Sequence, residues 1–597
     1  MNSIYSLVRE AQNNYTTGTT AISKYVDWSL YETIEKIDAY SNSTHTSGST
    51  DALGREKPFF NITTAATNIW YRATDIDRKD IKIKADKSSN ILAAFLANVH
   101  LQDYMKRENF GMFLNSWGRT LAKYGSAVVK FVEKKDGLHT TVVPWNRLII
   151  DSVDFDNNIK IERLFLTPAQ LSANKAYDRE AVKSLLTAFT TRKTMDGQQK
   201  DNKSDYIEVF EVHGMLPVSY LKKDDEEVDE DDESEYVQQM HVISYLQGEK
   251  TGDYDDFCLV SGREEKDPYM ITHLIPEDGR VLGIGAVEHL FEAQWMMNHS
   301  MKAIKDQLDL ASKLIFQTSD PSFVGQNVLE AIETGDIMVH SVNQPLNQVA
   351  NNSHDITSLQ NYASQWKVLG QEITSTPNAI SGDTMPSGTA YRQVAVLNQE
   401  AHSLFEMMVE NKGLHLEEML RTFVLPYLKK KMDTSKEISA TLSGYDLEKI
   451  DFLYVNSQAN KIKNDIAKKT ILEGKIFEGV DENKIKQDIQ QGLAIQGNER
   501  FFIPSDIDDT TWKEVFDDLE WEVDVQITDE IFNKEAVLTT LTTILQTVAT
   551  NPTVLQDGNM KMLFNKILEN TGVVSSLEFS NSPTPSSQAP ALSTGGN

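Results

Sequence analysis

Residues 352–426 read as a helix, a loop and a longer helix, and this stretch constrains the fold more than any other. In the first segment Leu359, Tyr362, Trp366, Leu369 and Ile373 recur three and four apart, which makes one apolar stripe along a helix. Asn352 can cap its start, and Asp355 follows near the positive end. Pro377, Gly382, Pro386 and Gly388 break the helical pattern, and Ser387 can cap what comes next. The second helix is expected to run to Pro426, with a kink at Gly413. At 1.5 Å per residue it spans about 54 Å, longer than a small domain is wide. Rods of that length need a partner along all of it.

A third rod precedes these two. Val287, Leu290, Gln294, Met297, Met301, Ile304, Leu308, Ala311 and Ile315 keep the same spacing. They predict a helix of roughly 30 residues, about 45 Å long. The short segment that follows has a turn at Gly335-Asp336 and a strand at 337–339. The pattern is a helix out, a small module and a helix back.

Residues 60–280 read as an α+β body. Residues 90–122 are helical, with a weak point at Gly111. Apolar strands flank a hairpin turn at Lys135-Asp136-Gly137. Further strands are predicted within 156–166, 206–221, 236–246 and 257–265, and a helix over 168–189. Ile81 and Ile83 alternate with lysines, a short exposed strand. Residues 60–75 leave helix and strand open. Residues 1–59 form an N-terminal extension with one short helix and a mobile Ser/Thr-rich stretch. Beyond Pro426 a strand, a mixed strand–helix region over 445–474, a strand near 520 and two helices are expected. The Ser/Pro tail 575–597 is expected to be disordered.

At 597 residues the chain can bury several cores. No stretch offers 18 uncharged apolar residues, so no transmembrane span is expected. The N-terminus has no basic region followed by an apolar run, so no secretory signal is expected. The one cysteine, Cys258, rules out an intrachain disulfide framework and reads as a buried thiol. The formal net charge of −30 argues against a protein that wraps DNA tightly. It suits one that DNA passes, because an acidic wall repels the phosphate backbone. Residues 224–235 concentrate acid and read as a solvated loop.

Enzyme motifs fail. Gly283-Ile284-Gly285 lacks the third glycine of a dinucleotide fingerprint, and no phosphate loop ends in Gly-Lys-Ser/Thr. Residues 154–158 begin like a calcium loop, but Ile159 stands at its sixth position and Phe165 at its twelfth. His289 and His299 have no partner ligand at metal spacing. Trp366, Phe405, Met407 and Met408 read as core or interface residues. No catalytic residue, cofactor or metal is expected.

In this order of elements the chain resembles the portal proteins of tailed double-stranded DNA bacteriophages. The resemblance rests on residues 373–393 with the long helix to Pro426, on the helix within 278–313, and on 124–151. It covers roughly residues 60–430. It implies a ring-forming α+β portal fold, a homododecamer at one capsid vertex with an axial DNA channel.

Under it residues 60–284 would be the wing, 285–317 and 351–376 the stem helices, and 318–350 the clip. Residues 389–430 would be a long kinked wing helix and 431–574 the crown. The channel loop, 377–388, would meet or gate DNA through Pro377, Asn378, Ser381, Asp383, Thr384, Met385 and Ser387. Val287, Leu290, Met297, Met301, Leu308, Leu359, Tyr362 and Trp366 would form the stem interface. The implied partners are further copies of the chain, the major capsid protein, scaffold, the large terminase (which hydrolyses the ATP), neck or adaptor proteins and duplex DNA. The implied location is the virion's portal vertex, after synthesis in the bacterial cytoplasm. A structural hub that forms no ring, such as a scaffold or minor head protein, is the alternative.

Overall fold

The computed structural model describes residues 3–502 and 522–525, except 53, 77, 79–80, 85–90, 136, 196–205, 222–234, 248–253, 313–315, 322–341, 346, 349–355, 377–390, 434–437, 442–443, 475–478 and 496–498. The fold is mixed helix and sheet, as the α+β reading expects. It divides into two units. One comprises Met1–Thr74, Ser116–Lys130 and Val142–Asn411. The other draws on Asp75–Asn115, Phe131–Thr141 and the described part of Lys412–Asn597.

The first unit is built on a five-stranded antiparallel sheet. Its order is Tyr254–Arg263, Tyr236–Gln247, Ile207–Pro217, Lys160–Leu166 and Leu148–Ile149. Four of these strands overlap segments that the sequence marks as strands, and Leu148–Ile149 is an addition. The central strand, Ile207–Pro217, carries apolar residues on both faces because both are covered. Phe210, Val212 and Leu216 cluster with Ile4 and Val8 of the helix Ile4–Thr17. Ile207 and Val209, one residue out of phase, cluster with Val182 and Leu185 of the helix Arg179–Met195.

The N-terminal segment is not a loose extension. Ser29 caps the helix Leu30–Ser41, and Leu30, Ile34, Ile37 and Tyr40 join a core with Val128, Trp145 and Leu282. Even the Ser/Thr-rich stretch is folded: Thr50 bridges Glu56, and Lys57 Nζ donates to the Gly48 carbonyl at 2.9 Å. Residues 60–75 resolve to a helix, Thr63–Ala73. The strand Tyr269–His273 pairs antiparallel with Lys130 back to Ser126. The predicted hairpin forms, with Lys134 and Gly137 exchanging backbone hydrogen bonds of 2.8 and 3.2 Å.

The three glycines Gly125, Gly283 and Gly285 meet backbone to backbone. Gly125 has φ +79°, and a Cβ there would lie 2.5 Å from the Ile284 carbonyl carbon. A Cβ on Gly285 would lie 2.4 Å from the Lys123 carbonyl oxygen. Close backbone packing accounts for the Gly-Ile-Gly sequence.

The rod predicted over 285–317 is shorter and broken. A single turn, Ala286–His289, closes at Leu290, and the helix proper is Phe291–Ala311, 21 residues. Leu290 N–H turns back to the Val287 carbonyl at 3.1 Å, a tight i+3 turn that ends the first piece. The return helix is Ile356–Ile373, 18 residues.

Helices Ile91–Arg107 and Phe110–Tyr124 separate at Asn109, φ 51°, two residues before the predicted Gly111; the second of them, like the long helix Tyr391–Met419, is shared between the two units. Asparagine tolerates that left-handed turn. Ile81 and Ile83 are buried, because the strand Ile81–Lys84 pairs with Glu522–Val525 and Asn98 holds both backbone groups of Ile83 at 2.7–2.8 Å. The exposed-strand expectation therefore fails. The long helix Tyr391–Met419 does not stop at Pro426. A π turn, Leu420–Val424, leads into Leu425–Asp433. Proline lacks the N–H of a normal turn and clashes four residues back, and the widened turn accommodates both effects. The region read as mixed over 445–474 is one helix, Gly444–Leu472, of 29 residues. It packs along Glu482–Ile495, and Arg500 clamps Asp451 bidentately at 2.7 and 2.8 Å.

Candidate assembly surface

The outgoing helix Phe291–Ala311 and the return helix Ile356–Ile373 pack as an antiparallel pair. At one end Gly370 lies against Leu290 and Ala293; a Cβ there would come 2.9 Å from Leu290 Cδ2. At the other end Phe316 pairs with Gln348 in a two-residue ladder. Small side chains, Ala363 and Gly370, let the return helix approach closely.

Polar contacts fix the pair to the body. Gln294 Oε1 accepts from Ile62 N–H at 2.9 Å, and its Nε2 donates to the Phe60 carbonyl at 2.7 Å. Asn298, one turn on, accepts from Phe60 N–H at 3.1 Å. Trp70 Nε1 donates to the Thr374 carbonyl at 2.9 Å, and Lys305 Nζ to the Glu56 carbonyl at 2.7 Å. The sequence signal for Gln294 and Asn298 is a pair of amides one turn apart in an apolar helix.

The eight predicted interface residues divide. Val287, Leu290 and Met297 are buried in the chain's own core. Met301, Leu359 and Trp366 are half-buried, and Leu308 and Tyr362 are exposed. The predicted stripe on the return helix is only partly covered by the chain itself. Tyr362, Leu369 and Ile373 are 42%, 44% and 53% exposed. On the outgoing helix Trp295, 52% exposed, stacks on His299 with ring centroids 5.5 Å apart. His289 instead packs its ring against Trp70. Phe405 and Met408 are buried and Met407 is exposed. The channel-loop residues Pro377, Asn378, Ser381, Asp383, Thr384, Met385 and Ser387 lie outside the described residues, as do residues 224–234 and 575–597.

A buried ionic network, which periodicity did not reveal, lies on the odd face of the central strand. Lys130 Nζ donates to Glu162 and Glu211, each at 2.7 Å. Tyr269 OH donates to Glu162 at 2.8 Å. His213 lies between Glu211, 3.0 Å from Nε2, and Glu264, 2.8 Å from Nδ1. Two carboxylate neighbours require both ring nitrogens to carry protons. Burial pulls the His213 pKa down, but hydrogen bonds to Glu211 and Glu264 outweigh it and hold it at about 8. Burial raises Glu211, yet His213 and Lys130 bring it to about 2. Burial and the nearby His213 depress His241 to about 4.

The calcium-like loop is filled from within. Asp154 accepts from the Asn157 side chain at 2.9 Å and from Asp156 N–H at 3.1 Å. Lys160 Nζ takes the Asp156 carbonyl at 3.2 Å and the Asp267 carboxylate at 2.5 Å. Among the described residues no group of three or more His, Cys, Asp or Glu is placed to hold a metal. Cys258 is exposed, not buried; it pairs with Ile243 on the edge strand of the sheet, just before a bulge at Leu259. Its thiol reaches the Val260 carbonyl at 3.5 Å. Among the described residues no helix is long and apolar enough to cross a membrane.

No family model matches the chain, and no curated protein matches it. The arrangement offers an exposed apolar surface on a helix pair that is hydrogen-bonded to the body.

Proposed function

We propose that this chain is a portal subunit. Twelve copies would close into a ring at one vertex of a tailed-phage capsid, and duplex DNA would pass along the axis. One observation carries the reading. The return helix turns small residues toward its own chain and leaves Tyr362, Leu369 and Ile373 exposed. A ring of identical copies covers such faces without leaving a free end. The resemblance over residues 60–430 and the charge of −30 support it, since acid facing a lumen keeps DNA mobile.

In this reading residues 377–388 form the channel loop and act sterically. Residues 318–350 dock the terminase and then neck proteins. The outer body meets capsid and scaffold proteins. Negative-stain microscopy of the purified chain tests the proposal. A ring with a hole of about 20 Å or more, enough for a duplex, is expected. A protein that stays monomeric under assembly conditions contradicts it, and elongated assemblies without a ring point to a scaffold or minor head protein. Removing residues 378–385 is expected to leave the ring intact and abolish DNA packaging or retention.

A further inference from the structure

We propose that the turn over residues 264–268 is a pH-operated latch. It stays closed while a protonated His213 bridges Glu211 and Glu264, and its Glu264 end swings out to water when the proton leaves. The latch does not depend on the ring reading.

The two ends of this turn are held in different ways. It carries the chain from the edge strand Tyr254–Arg263 to the strand Tyr269–His273. At the far end the Asp267 carboxylate accepts from Lys160 Nζ at 2.5 Å and from Tyr269 N–H at 2.9 Å. Neither of those bonds involves a histidine. At the near end Glu264 N–H donates to the Gln238 carbonyl at 3.0 Å. The hydrogen bond that holds the Glu264 carboxylate comes from His213 Nδ1, at 2.8 Å.

The imidazole's two neighbours are also unequal. Glu211, 3.0 Å from Nε2, has a second cation in Lys130 at 2.7 Å. Its side chain is 13% exposed, against 20% for Glu264. A neutral imidazole carries one N–H. Kept toward the anchored Glu211, that N–H leaves the Nδ1 lone pair facing the Glu264 carboxylate. Two acceptors without a proton between them repel, and Glu264 is the one that water reaches more readily.

The charged and titratable groups around the ring come from several elements. Glu211 shares its strand, Lys160 and Glu162 lie on one neighbouring strand, and His241 lies on the other. The turn supplies Glu264 and Asp267. Lys130 bonds Glu211, and the Tyr269 ring lies edge-on to the imidazole at 5.2 Å. Burial and His213 depress His241 to about 4, and burial raises the Tyr269 hydroxyl well above its ordinary value. Burial lowers the Lys130 pKa, but Glu211 and Glu162 outweigh it and raise it above the ordinary value. These three keep their charge state where His213, held at about 8, loses its proton.

Met240 is the cross-strand partner of His213, so the two share a face of the sheet. Met240, Val260 and Gly262 line a groove together with residues 263–266. Release of Glu264 opens this groove toward His213 and Glu211.

Hydrogen exchange of the full-length chain, read by mass spectrometry, tests the latch. Peptides over 262–268 and 207–217 are followed from about pH 6 to about pH 9, each rate divided by the intrinsic rate at that pH. Glu211 stays beside the ring in the open turn, so opening removes about one unit of the raised pKa. Protection over 262–268 is then expected to be level below about pH 7 and to fall about tenfold as pH rises through 8. Urea at about 1 M should leave that peptide's protection unchanged while lowering that of 207–217, because local opening exposes little surface. Glu264→Gln keeps the histidine and removes the charge it holds, so protection there should not vary with pH. His213→Gln should behave likewise. A turn whose protection is level across the pH range, or falls as steeply with urea as the central strand, would overturn the latch. So would an undiminished tenfold fall in Glu264→Gln.

Discussion

The five-stranded body and the helix pair belong to the same unit but use their apolar and polar residues in opposite ways. In the body most large apolar side chains point inward, with Phe165, Met215 and Tyr236 as exposed exceptions, and even charges are buried: Lys130, Glu162, Glu211 and His213 saturate one another beneath Tyr269. In the helix pair the side chains turned inward include Ala363 and Gly370, while Tyr362, Leu369, Ile373 and Trp295 remain at the surface. A body satisfied by its own chain needs no other copy. A helix pair that leaves its aromatic residues outside would, in the proposed ring, be covered by one.

The comparison can be broken from either side. The largest effect on stability is expected from Lys130→Ala. It leaves Glu162 and Glu211 buried without their ammonium and should cost about 3–5 kcal/mol, read as a lowered denaturation midpoint. A loss under about 1 kcal/mol would mean that the network is solvated. Gly370→Leu comes next. It forces side-chain atoms between the two helices, and overpacking of that kind should cost up to about 3 kcal/mol, measured by thermal unfolding.

The His213 clamp gives a pH dependence. Its folded pKa, about 8, lies above the ordinary 6.5, so its stabilisation is complete below 6.5 and is lost as pH rises through 8. The shift is worth about 2 kcal/mol. Urea midpoints should fall over that range in the native chain and stay flat in His213→Gln. Glu211, held at about 2, acts in the other direction: its contribution is present above the ordinary 4.5 and disappears as pH falls toward 2. The smallest effect is expected at the stripe. Leu369→Ser with Ile373→Ser should change monomer stability by about 0.5 kcal/mol or less, because exposed sites contribute little to folding.

Much of the body was legible in sequence. Strands such as Lys160–Leu166 and Ile207–Pro217 sit where their apolar residues put them, since each contributes buried side chains to the sheet. What failed depended on partners far away or on local irregularity. Ile81 and Ile83 are buried by a strand more than four hundred residues later. Cys258 lies on the edge strand, where sequence alone does not show which side is left uncovered. Pro426 passes within a helix because the π turn before it removes the clash. At the candidate site, periodicity located the stripe from Leu359 to Ile373. It could not tell which side of the helix the chain covers itself. That choice was made by Gly370 and Ala363, residues too small to register in a hydrophobic pattern. The ionic network was hidden for the opposite reason. Glu211 and His213 sit at alternate positions, which in sequence looks like an ordinary solvated face.

The central claim is that the exposed stripe is reserved for other copies of the chain. The direct measurement is the solution mass, by light scattering, of the native protein and of the Leu369→Ser, Ile373→Ser variant under assembly conditions. The account predicts a ring-sized mass for the first and a folded monomer for the second. A native monomer, or a variant that keeps the full ring mass, would contradict it.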